Sequence, residues 1–195
     1  MLTLCIDTAY KYLTCALIRD NEIVSAYSKE CFKRQSEEVY MALNKVFEDA
    51  QIDKSSIDSI CISEGPGSYT GVRIAMTIAK VIGELYHINV YTISTLRLYA
   101  ANKENCMVVM DARAGRVYCG IYDHEEVVME DCVIATDELN TDNYTIMGDA
   151  SIFGKEDDFG NIPEAFLHTR SLWHKVDKIA YLTPKYLKES ESYYR

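Results

Sequence analysis

The 195-residue chain lacks a membrane-length apolar run, a C-x-x-C pair and a dense cluster of Lys or Arg. Each absence removes a class of function. The longest apolar stretch, Val72 to Leu85, is broken by Arg73, Lys80 and Glu84, far short of the roughly 20 apolar residues that span a bilayer. No signal peptide is expected, since the N-terminus has no basic region and Asp7 ends the apolar run Leu2 to Ile6. The seven cysteines (5, 15, 31, 61, 106, 119, 132) are scattered and odd in number, which reads as reduced, buried thiols in a cytoplasmic protein. The four histidines (87, 124, 168, 174) stand apart from them in sequence, so no metal site is expected. The formal net charge of −10 argues against a free-standing nucleic-acid binder, which needs a basic face to replace phosphate counterions.

What is present reads as an ordinary globular α/β chain. Three β-rich runs, Leu2–Asp7, Tyr12–Ile18 and Glu22–Lys29, are separated by turns and predict an antiparallel meander. A helix follows from Ser36 to Ala50, where Val39, Leu43, Val46, Phe47 and Ala50 form one apolar stripe, with Ser36 expected as the N-cap. Glu37 and Glu38 suit the positive end of its dipole. Then come a strand at Ile57–Ser63, a helix from about Gly71 to Tyr86, a strand at Asn89–Ile93, and a helix to about Ala101 capped by Ser94. The polar patch Asn102-Lys103-Glu104-Asn105 is the expected boundary between a first lobe, residues 1–101, and a smaller α+β lobe, residues 102–195. The second lobe should hold strands at 106–110, 116–122, 127–134 and 144–147, and a surface loop at 155–161. The order of elements implies mixed sheets with flanking helices.

Glu64 to Ile74, EGPGSYTGVRI, is the most informative stretch. Gly65, Pro66 and Gly67 impose a tight turn between a strand and a helix. Ser68, Thr70 and the amides of the first helical turn then point to one place, and such helix starts attract anions. Two readings stand: a bare strand-to-helix turn, or an anion site at Gly65, Gly67, Ser68 and Thr70. The loop is neither a P-loop nor a dinucleotide fingerprint.

The GPGSYTGVRIA segment, Asp7-Thr8, Ser94-Thr95-Leu96, Asp111-Ala112-Arg113-Ala114-Gly115-Arg116-Val117-Tyr118 and Pro184-Lys185-Tyr186-Leu187-Lys188 together resemble the TsaB (YeaZ) family, in order over nearly the whole chain. The resemblance implies an ASKHA fold, two-lobed, actin-like and RNase H-like. It also implies a non-catalytic subunit that binds and activates the related enzyme TsaD in tRNA N6-threonylcarbamoyladenosine synthesis. A P-loop ATPase, TsaE, joins that pair, and tRNA is engaged indirectly through the complex. No cofactor is expected on the chain alone, although the resemblance leaves room for ATP or ADP at the partner interface. Family members are often longer, so loops within Asn140–His174 are expected to be reduced.

Departures from the catalytic relatives support the non-enzyme reading. Where those carry H-x-x-x-H on the first long helix, this chain has Arg34-Gln35-Ser36-Glu37-Glu38-Val39-Tyr40. Asp7-Thr8 resembles the first phosphate loop of an actin-type ATPase, which adds Asp7 and Thr8 to the candidate anion site, but Ala9-Tyr10-Lys11 lacks the glycine that lets a backbone approach phosphate, and 111–116 reads equally as a phosphate loop or a β-turn. No Ser-His-Asp or Cys-His arrangement is legible. The alternatives are a stand-alone ASKHA phosphotransferase or ATPase, and a self-associating structural protein.

For docking, the helix 71–86 is apolar on several faces. Gly71, Ala75, Ala79 and Gly83 recur every four residues, beside Ile74, Ile78 and Ile82. This helix is either buried within the monomer or part of an intermolecular bundle, and the resemblance favours the bundle. Glu37, Tyr40, Met41 and Asn44 are expected to share that surface, which should bind TsaD or, in its absence, a second copy of the chain.

Overall fold

The computed structural model describes residues 1–31 and 33–187. Strands β1 (Leu2–Asp7), β2 (Tyr12–Arg19) and β3 (Glu22–Glu30) form the expected antiparallel meander. Helix α1 (Gln35–Ala50) leads to β4 (Ser59–Ser63), α2 (Tyr69–Tyr86), β5 (Asn89–Ile93) and α3 (Thr95–Ala100). Strand β4 adds in parallel beside β1, and β5 in parallel beside β4. Period-two alternation explains how β1 is buried along its whole length. Leu4 and Ile6 enter the core beneath α1 and α2, and Cys5 enters the core on the opposite face, with α3. Edge strand β3 keeps much of its surface exposed.

A second sheet, ordered β8-β7-β6-β9, comprises β6 (Cys106–Asp111), β7 (Arg116–Asp123), β8 (Glu126–Ala135) and β9 (Thr145–Gly148). Its first strand starts just beyond the polar patch 102–105. The chain then crosses back. Helix α4 (Ile162–His168), capped by Asn161, packs on β2 and β3, and the short β10 (His174–Lys175) pairs antiparallel with β5. Sequence periodicity missed both, because neither is long enough to show a period.

Two local expectations are corrected. Ser36 does not cap α1; the helix starts one residue earlier, with Arg34 at the cap position and no side-chain cap bond. Gln35 is drawn inward instead, donating from Nε2 to the Tyr10 carbonyl at 2.6 Å. The 155–161 segment is not wholly a surface loop, since Phe159 is buried against Tyr10, Tyr12 and Tyr99. Burial of an aromatic ring of that size is strongly favourable, and its acidic neighbours Asp157 and Asp158 stay exposed beside it. Ser94 does cap α3, accepting from the Arg97 amide.

All seven cysteines are unpaired and six are buried. Burial pushes the Cys15 and Cys119 thiols up to about 12 and Cys106 to about 11, so these groups pack as small apolar side chains. Among the described residues, no helix is long and apolar enough to cross a membrane.

Candidate functional site

The end of β1, the Gly-rich loop and the start of α2 form one tightly joined unit. Asp7 is fully buried. Its carboxylate accepts from Ser63 Oγ at 2.5 Å, the Ala9 amide at 3.0 Å and Tyr99 OH at 2.8 Å. Burial pushes its pKa up, opposed by these three hydrogen bonds. Thr8 Oγ1 donates to the Gly71 carbonyl at 2.7 Å and accepts from the Ala75 amide at 3.2 Å. It therefore bridges two groups that face each other one helical turn apart.

The glycines are set by backbone contact. A Cβ on Gly67 would lie 2.3 Å from the Ala9 carbonyl oxygen, and one on Gly71 would lie 2.2 Å from that of Thr8. Gly65 adopts φ +104° against the Lys185 carbonyl, a conformation that L side chains rarely adopt. Ser68 caps α2, accepting from the Gly71 amide at 3.2 Å, and its own amide donates to Ala9 at 2.7 Å. The loop is thus a close-packed strand-to-helix turn in which Asp7 and Thr8 direct their polar atoms into the fold. Ser68 and Thr70 are the two exposed members of the six candidates.

The turn between β6 and β7 is a β-turn, with Arg113, Ala114 and Gly115 all at positive φ and Asp111 Oδ1 accepting from the Arg113 amide at 2.7 Å. Beside it lies a cluster that spacing did not announce. Asp149, buried after β9, accepts from Tyr10 OH and, at 2.7 Å, from the Asp111 amide. Lys11 Nζ sits 2.5 Å from Asp149 and 3.1 Å from Asp157. Burial would lower the Lys11 pKa, but the two carboxylates outweigh it and raise it. Burial and Asp149 push the Tyr10 phenol up. The cluster ties the β1–β2 turn to the second sheet.

The face formed by α1 and α2 differs from expectation in one respect. Gly71, Ala75, Ala79 and Gly83 are buried and face their own sheet, not a partner. A Cβ on Gly83 would meet Val90 and Ile179, so small residues there let the helix settle closely on β5 and the C-terminal segment. Charging Ala79 would disrupt the core before it could report on docking.

The outward stripe is Ile74, Ile78, Val81 and Leu85, with Ile82 at its margin. Val81 is 59% exposed and Leu85 66%; their 3- and 4-residue spacing after Ile78 is the signal that could have found them. On α1, Tyr40 is 73% exposed, with Met41 and Glu37 also exposed. Asn44 is half-buried and accepts from Lys54 at 2.5 Å. Between the helices runs a groove of about 420 Å³ lined in part by Val39, Tyr69, Arg73, Ile74 and Ile78. At its end Tyr69 stacks on Tyr186, with centroids 5.4 Å apart, and Arg73 lies over Tyr69. The terminal motif thereby reaches the groove, its last residue, Lys188, lying outside the described residues.

Comparison with known proteins places this geometry. Residues 28–180 match the family model for TsaD, tRNA N6-adenosine threonylcarbamoyltransferase. A Bacillus subtilis relative, tRNA threonylcarbamoyladenosine biosynthesis protein TsaB, is 32% identical over 137 residues, covering 68% of this chain and 60% of the relative. The Escherichia coli protein of the same name is 30% identical over 132 residues, covering 65% of this chain and 57% of that one. The match thus spans about 60% of the length of these relatives. Two solved structures from Pseudomonas aeruginosa share the fold. One, an uncharacterized protein with similarity to peptidase YeaZ, has a TM-score of 0.84 at 17% identity, covering 96% of this chain and 99% of that one. The other, YeaZ, has a TM-score of 0.79 at 19% identity, covering 95% and 99%. With its two mixed sheets and flanking helices in the two-lobed ASKHA arrangement, the chain belongs to the tRNA N6-adenosine threonylcarbamoyltransferase (TsaD) family, and within it to the TsaB (YeaZ) group.

Proposed function

We propose that the chain is a non-catalytic, cytoplasmic scaffold subunit in tRNA N6-threonylcarbamoyladenosine synthesis, which binds and activates a TsaD-type catalytic subunit through the outward face of α1 and α2. The observation that carries this reading is the set of apolar side chains on the outward faces of two helices: exposed Tyr40 and Met41 on α1, exposed Val81 and Leu85 on α2, and half-buried Ile74 and Ile78 lining the groove between the helices. Contiguous exposed apolar side chains on a folded surface mark sites where another molecule docks. Tyr and Met are among the residues enriched at such interfaces.

The Gly-rich loop supports the same reading. Its glycines are committed to backbone packing and the Asp7 and Thr8 polar atoms to internal bonds, which leaves catalysis to the partner. Activation then requires that the chain bind the active state of the partner more tightly than the inactive one. The proposal includes TsaE as a third component, tRNA contacted through the assembly, and a homodimer through the same face when the partner is absent. An adenine nucleotide, where one takes part, belongs to the partner interface, near Ser68 and Thr70.

The test is reconstitution of tRNA threonylcarbamoylation from cognate TsaD, TsaE, threonylcarbamoyl adenylate and tRNA, with and without this chain. Activity that needs all components, and is absent from this chain alone, supports the scaffold role. Full activity without the chain overturns it, and saturable ATP turnover by the isolated chain replaces it with a phosphotransferase or ATPase.

A further inference from the structure

Beside the first residue of the Gly-rich stretch, Glu64, a cleft of about 350 Å³ lies between the ends of β4 and β5, the β7–β8 hairpin and residues 171–174. Two of the side chains that line it, Arg97 and Trp173, carry buried donors left unsatisfied by the fold. Arg97 is only 7% exposed. Its Nη1 donates to the Glu126 carbonyl at 3.1 Å, and its guanidinium lies 4.7 Å from the Tyr122 ring centroid. Nη2 has no partner among the described residues, and neither has Trp173 Nε1. Buried N–H groups are nearly always paired, so two such donors on side chains that line one cleft point to an acceptor from outside the fold. The nearby Asp131 carboxylate is already engaged, accepting from Ser94 at 2.5 Å, from Tyr122 and from Lys185 at 3.1 Å.

Charge decides what kind of acceptor fits. The cleft is lined by four carboxylates, Glu64, Glu125, Glu130 and Asp131, against two cations, Arg97 and Lys185. A polyanion such as a nucleoside triphosphate would add negative charge to a site that is already net negative. A molecule carrying both a carboxylate and an ammonium answers the donors and the acidic rim together. The volume lies within the ordinary range for small-molecule sites, and Val127, Leu172 and the Trp173 ring offer apolar surface.

We propose that this cleft binds a small zwitterion of the α-amino-acid class, its carboxylate accepting from Arg97 Nη2 and Trp173 Nε1 and its ammonium facing Glu125 and Glu130. Both donor nitrogens are closed to solvent, so binding includes a movement of the lining side chains that opens them to the ligand. Trp173 is the chain's single tryptophan, and its fluorescence reports on this site alone.

The full chain is titrated with the L-α-amino acids one at a time, followed by Trp173 fluorescence and by calorimetry. Acetate and methylamine serve as controls carrying one charge each. At least one amino acid is expected to give a saturable change with Kd of about 1 mM or tighter, and neither control is. Glu125→Gln combined with Glu130→Gln, at exposed positions, should weaken binding roughly tenfold. Trp173→Phe, read by calorimetry, should weaken it through loss of the N–H. Absence of binding by every amino acid overturns the proposal, as does equal binding of acetate, or unchanged affinity in both variants. The titration uses the isolated chain, so its outcome is independent of the scaffold role.

Discussion

Lys11, in the turn between β1 and β2, holds its ammonium 2.5 Å from the buried carboxylate of Asp149, which follows β9. One ion pair thus joins the turn between two interior strands of the first sheet to the end of an edge strand of the second. Lys11→Met leaves Asp149 with its hydrogen bonds from Tyr10 and the Asp111 amide but removes the countercharge. Because the pair is only partly shielded, the expected loss is about 2 kcal/mol, below that of a fully buried pair. The midpoint of urea unfolding measures it.

The same cluster sets a pH dependence. Burial would raise the Asp157 pKa, but hydrogen bonds from Ser151 and the Lys11 charge hold it below its ordinary 3.8. A depressed carboxylate contributes stability that is present above the ordinary value and lost as pH falls through the folded one. Lys11, raised above 10.5, contributes stability that is present below 10.5 and lost as pH rises beyond it. Asp157→Asn should therefore reduce stability at neutral pH and flatten the acid limb of the stability profile below pH 3.8. Thermal unfolding of both proteins across that limb checks the sign.

Thr8→Val keeps the shape of the side chain but removes the hydroxyl that bridges the Gly71 carbonyl and the Ala75 amide. Loss of a bond to buried backbone groups should cost about 1–3 kcal/mol. Hydrogen exchange at the Ala75 amide should accelerate, while Thr8→Ser retains most of the protection.

Two glycines separate space from conformation. Gly67→Ala would press its Cβ to 2.3 Å from the Ala9 carbonyl, so the loop backbone must move, at a cost of about 3 kcal/mol or more. Gly115 has open space but a φ of +68°, and alanine there should cost only about 1–2 kcal/mol from backbone conformation. Chemical denaturation of both variants gives the ranking, and an equal or reversed order would contradict the packed-turn description.

Val81→Arg places a charge on the outward stripe of α2 without entering the core. Monomer stability should change by no more than about 0.5 kcal/mol, while affinity for the TsaD-type partner should fall by roughly 2 kcal/mol or more. Calorimetric titration against the partner decides. Unchanged affinity would remove this face from the proposed function. Ala79→Arg makes the contrasting case, because Ala79 is fully buried and its substitution should unfold the chain.

Much was legible in order along the chain because it depends on near neighbours. The meander 2–30 follows from alternation and turn residues. The Ser94 cap follows from a hydroxyl placed before an apolar run, and the tight turn at 65–67 from its glycines. The apolar count of α2 was equally plain, but which of its faces turned outward was not. Gly71, Ala75, Ala79 and Gly83 form a stripe that suits a partner helix or the chain's own sheet equally well, and only the position of β5 and Ile179 assigns it inward. Short α4 and β10 carried no usable period.

The sequence by itself determined the family, the order of the main strands and helices, and the residues of the Gly-rich turn, because motif identity and periodicity reside in residues adjacent along the chain. Tertiary structure alone decided that Asp7 and Thr8 turn into the fold, that Phe159 is core, that Lys11 meets Asp149, and that Arg97 and Trp173 share a cleft. Those relationships join residues up to about 150 positions apart, as Tyr10 and Phe159 are. Only chain packing, which balances burial against pairing for every polar group at once, brings them within reach.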